Sequence, residues 1–119
     1  MSYSPDVWIV VQITNKKAGL RIHKILAGWY GGFAGSDSWR LNSGITEVKK
    51  DPENENVYQV YGGSGSVYYC HKNVERTSML TQSVLSNMQE SADESGDYEV
   101  TQVPIESLVI GHDTGADPV

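Results

Sequence analysis

The chain has 119 residues, of which 39% are hydrophobic and 20% charged. That is enough apolar material for one core and too little for two, because domains of about 60 residues bury too small a share of their surface. A single cysteine, Cys70, excludes an internal disulfide and a cysteine-rich zinc cluster, and the longest strongly apolar run, residues 7–13, falls far short of the roughly 20 residues that span a bilayer. The formal net charge of −6 is uneven: the nine basic residues all lie at or before Arg76, with seven acids, while eight acids and no basic residue follow it.

Residues 6–13 are apolar on both alternations, Val7, Ile9, Val11 and Ile13 against Trp8 and Val10, which predicts a central strand covered on both faces. Turn residues at 14–19 predict a hairpin to a second strand at 20–29. Along that strand the apolar parity changes from Leu20 and Ile22 to Ile25, Ala27 and Trp29, and a bulge is expected near Lys24. Residues 28–44 hold five of the twelve glycines among aromatic, Ser and Asp residues, so regular structure is expected to break there. A β-meander follows, with strands at 45–50, 57–61 and 67–72 joined by a polar turn containing Pro52 and by the glycine turn at 62–66. From Arg76 the period becomes helical: Leu80, Val84 and Met88 step by four with Leu85 beside them, Asn73 or Thr77 is the expected cap, and residues 91–96 end the helix. A last strand at 97–103 stops at Pro104, and residues 105–110 are apolar enough to dock. The expected fold is α+β, a twisted antiparallel sheet of five to six strands packed against one C-terminal α-helix. It forms a single domain over residues 1–110 and is followed by a flexible acidic tail at 111–119.

Catalytic chemistry finds little footing. Cys70 and His71 adjoin, but neighbours on a strand point to opposite faces, so the pair cannot hydrogen-bond as nucleophile and base, and Cys70 reads as a buried structural thiol. His23, His71 and His112 lack metal-site spacing, and neither a metal nor a cofactor is expected. The glycine turn at 62–66 lacks the lysine and the following helix of a phosphate loop. The most informative stretch is residues 28–45, where Trp29, Tyr30, Phe33, Asp37, Trp39, Arg40 and Asn42 combine rings, Arg and small polar groups in the manner of a paratope. These seven are the candidate binding residues, set against the alternative that the loop folds its own rings onto the sheet. The reading they favour is a non-enzymatic binding protein. A nucleotide sponge that stacks a base on these rings and meets phosphate with Arg40 or Lys24 is the alternative. A second alternative is a nucleic-acid mimic acting through the acidic C-terminal third. Direct nucleic-acid or membrane binding is not expected of so acidic a chain, and a homodimer is compatible with the pattern. Residues 1–6 carry no basic, apolar leader, and a cytoplasmic location is expected.

Trp29, Tyr30, Gly31 and Gly32, then residues 37–45, then SGSVYYCHKN at 64–73 ahead of a helix containing Ser and Met, resemble small uncharacterised proteins of tailed bacteriophages over residues 28–90. The resemblance implies a context: early products that bind and redirect or inhibit host proteins, antiviral defences among them. It carries no catalytic residue.

Overall fold

The computed structural model describes residues 1–31 and 35–108. The strands, in chain order, are β1 (Ser2–Tyr3), β2 (Val7–Asn15), β3 (Leu20–Trp29), β4 (Ser38–Leu41), β5 (Ile45–Lys50), β6 (Val57–Gly62), β7 (Val67–His71) and β8 (Tyr98–Val103), with helix α1 (Met79–Ser95) between the last two. They form two sheets of four strands, one ordered β1-β7-β6-β5 and the other β4-β3-β2-β8. The α+β class therefore holds, but the expected single sheet of five to six strands is replaced by two sheets. The reason lies in β2 and β3, whose two faces are both apolar over Val7 to Val11 and Ile25 to Ala27. One helix can cover only one of those faces, and the meander β5-β6-β7 covers the other.

Three layers result. Trp8, Val10, Ile25 and Ala27 of the second sheet meet Val48, Tyr58, Val60, Tyr68 and Cys70 of the first, with Ile105 closing the cluster and Leu108 packed against it. Residues 105–108 thus dock as their composition predicts; residues 109 and 110 and the acidic segment 111–119 lie outside the described residues. Trp8 links the two sheets further, because its indole Nε1 donates to the His71 carbonyl at 2.8 Å. On the opposite face of the second sheet, Ile9, Val11, Leu26 and Val100 pack against Leu85 and Ala92 of α1.

Local chemistry sets the connections. In the β2–β3 hairpin, Asn15 Oδ1 accepts from the backbone of Lys17 and Ala18, and Gly19 takes the left-handed conformation at φ 69° that a turn here requires. The pairing of β2 with β3 then runs unbroken from Asn15 opposite Leu20 to Val7 opposite Gly28, so the expected bulge near Lys24 is absent. The parity change has another cause: Leu26 faces α1 while Ile25 and Ala27 face the other sheet, so both faces are apolar there, whereas cover thins over His23 and Lys24 and is gone at Leu20 to Ile22. The register does shift in β5, between Ile45 and Glu47. The helix is capped not by Asn73 or Thr77 but by Ser78, which accepts from the Thr81 N–H at 3.1 Å, while Thr81 Oγ1 accepts from the Ser78 N–H. Gly96 ends it in the left-handed region. Among the described residues no helix is long and apolar enough to cross a membrane.

Candidate functional site: an open groove beside the helix

The stretch expected to be a binding loop does not act as one surface. Residues 38–41 form β4, a regular strand paired with β3, and β4 sends alternate side chains to opposite faces of its sheet. Trp39, opposite Gly28, lies on the helix face, and Arg40, opposite Ala27, lies on the face toward the other sheet. The pair cannot grip one ligand together.

Arg40 belongs instead to an aromatic cluster at the mouth of the two-sheet core. Its guanidinium lies 4.7 Å above the Tyr3 ring, Tyr3 stacks on Tyr68 at 4.9 Å, and Trp29 meets Tyr3 edge-on at 6.1 Å. Trp29 also donates its indole N–H to the Ser4 carbonyl at 3.1 Å. Asn42 is buried and does backbone work: its Oδ1 accepts from Ile25 N–H at 2.9 Å, and its own N–H donates to the Ile25 carbonyl. Asp37 Oδ1 accepts from Gly31 N–H at 2.7 Å, bracing the connection into β4. Tyr30 is exposed, with its backbone N–H held by Asp6 Oδ2. Phe33 lies outside the described residues. Of the six candidates among the described residues, Tyr30 and Trp39 are the two that present an exposed ring.

The remaining chemistry is equally well placed. Cys70 is fully buried, and burial pushes its thiol far above the usual range, with the nearby Glu75 charge adding to the effect. Its neighbour His71 is exposed on the other face of β7. The His23 imidazole sits 3.1 Å from Gln12 Oε1, and burial, aided by the Arg21 charge, lowers its pKa. Among the described residues no group of three or more His, Cys, Asp or Glu is arranged to hold a metal ion. The glycine turn between β6 and β7 is a hairpin closed by Gly65 N–H to the Gly62 carbonyl.

What the sequence did not single out is the helix-bearing face of the second sheet. A helix about 10 Å across covers about two strands spaced 4.8 Å apart, so one helix leaves half of a four-stranded face uncovered. Here α1 packs chiefly along β8. Its start presses onto β3 at Gly28, where an added Cβ would lie 2.8 Å from Thr81 Cγ2. Beside it runs an open groove of about 510 Å³. Val84, Met88, Ser91 and Ser95 form its helix wall, Ile13 and Val100 its floor, and Trp39 and Tyr98 also line it. A second depression, lined by Leu20, Ile22, Asn15, Ile13 and Tyr98, continues it toward the hairpin tip. Four large apolar side chains on this one face remain exposed: Leu20 at 65%, Ile22 at 48%, Trp39 at 46% and Tyr98 at 41%. Apolar side chains gathered on one face in this way differ from singly scattered ones, which are ordinary on a protein surface.

No family model, curated protein or solved structure matches this chain.

Proposed function

We propose that this chain is a non-enzymatic protein-binding module, and that the groove between α1 and the open half of β3 and β4 is its contact face. The observation that carries the reading is the continuity of Trp39, the Val84–Met88 wall, Ile13, Tyr98, Ile22 and Leu20 along one side of one sheet. The groove is shallow and runs out onto an exposed sheet face, a shape suited to another protein surface; small-molecule sites are concave and enclose most of their ligand. The burial of Cys70, away from His71, also speaks for binding over turnover. The nucleotide alternative loses support, because Trp29 is committed to the Tyr3 cluster and Trp39 and Arg40 diverge. The phage-like resemblance makes a host protein one class of partner for this face.

A photoreactive amino acid at position 88, on the groove wall, should give protein adducts in a bacterial lysate. The same group at position 53, in the exposed turn after β5, should not. Equal labelling from the two positions, or none from position 88, overturns the reading.

A further inference from the structure

The reading of the groove as a protein contact face leaves its occupant open, and on that reading we infer that the occupant is a second copy of this chain, with the two α1 helices side by side between two second sheets. Three observations converge on it.

The first is area. The four exposed apolar side chains, 41–65% open to solvent, adjoin the helix wall on one face, and a contact there would draw on all of them at once, as the roughly 800 Å² that each partner contributes to a standard interface requires. The second is shape. The missing half of the helix layer is the width of one helix, and α1 has a flank to offer: Leu80, Val84, Asn87, Met88 and Ser91 carry no charge, and Ser91 and Ser95 permit close approach. A two-fold axis running along the helices would place each α1 over the bare strands of the other copy, so that one operation fills both grooves.

The third is charge. By register Lys24 lies on the groove face, between Ile22 and Leu26, half-buried and with no ion pair among the described residues. The exposed crest of α1 carries Glu90 and Glu94. Apposition of the two copies about that axis brings the acidic crest of each toward Lys24 of the other, while the flank between them buries no charge.

Light scattering coupled to size-exclusion chromatography tests this on the full chain. The wild type should run at twice its 13.1 kDa, with a melting temperature that rises with protein concentration. Ile22→Glu and Met88→Glu should halve the mass while leaving the far-ultraviolet circular dichroism unchanged. Lys24→Glu should also give monomer, and combining it with Glu90→Lys and Glu94→Lys should restore the dimer. A wild type that is monomeric at every concentration overturns the inference, as does a dimer that survives all three single variants. Adducts at position 88 to a foreign protein alone would overturn the second copy and leave the contact face standing. A dimer with no adduct from position 88 would overturn both, because the two copies would then meet through another face.

Discussion

The two faces of the second sheet are built from the same strands, yet they end in different states. Toward the first sheet, Trp8, Val10, Ile25 and Ala27 are fully buried by a layer as wide as their own. Toward the helix, burial reaches Ile9, Val11 and Leu26 and then gives out, leaving Ile22, Leu20 and Trp39 in solvent. Sheet on sheet matches width with width, whereas a single helix on four strands does not. The contrast separates what the residues do: apolar groups on the first face hold the fold, and those on the open part of the second are free to hold something else.

The largest expected effect lies on the covered face. Trp8→Ala removes a fully buried ring and its hydrogen bond to the His71 carbonyl, and should cost about 3–5 kcal/mol in urea unfolding. A loss below about 1 kcal/mol would mean that the two sheets do not share one core, and the comparison would break. The next effect lies where the helix face is tightest. Gly28→Ala pushes a methyl to 2.8 Å from Thr81 Cγ2 and should destabilise by about 1–3 kcal/mol. Adding Thr81→Ser removes the clashing methyl but keeps the hydroxyl of the capping box, and should return part of the loss. Unchanged stability in Gly28→Ala would show that α1 can lift off β3, and that the groove is wider than it stands here.

Much of this was legible in the residues and some was not, for reasons that follow from the same contrast. The span of β3, the meander and the helix from Leu80 to Met88 were marked by turn residues and by a change of period, both of which are local signals. The apolar runs in β2 and β3 require cover on both sides but do not say by what, so a second sheet was not distinguishable from a thicker helical layer. The parallel pairing of β1 with β7 brings together residues more than 60 positions apart, and Ser2 and Tyr3 carry no strand pattern to announce it. At the candidate site, composition grouped Trp39 with Arg40, Trp29 and Asn42, although strand alternation through β4 sends Arg40 to the rim of the first-sheet face and Trp39 to the helix face, both of them exposed. The groove did have a signal. Ile13, Leu20, Ile22 and Tyr98 are apolar at the solvent end of the β2–β3–β8 strands, more apolar surface than the short stripe on α1 can cover.

The smallest effect sharpens the comparison at the point where cover on the first face thins. His23 sits on that face beyond Ile25, half-buried against Gln12, and burial first, then the Arg21 charge, disfavour its protonated form. The unfolded chain therefore takes up the proton first, near the ordinary value of 6.5. Above that pH the folded state keeps its full advantage. As pH falls through 6.5 the unfolded state binds more protons than the folded one, and stability declines until the folded imidazole titrates in turn. Urea midpoints measured from neutral to mildly acidic pH should show this shallow fall in the wild type, and His23→Gln should flatten it. If the slope is the same in both, the imidazole is as well hydrated as in the unfolded chain, and the cover of the first face ends at Ile25 instead of reaching His23.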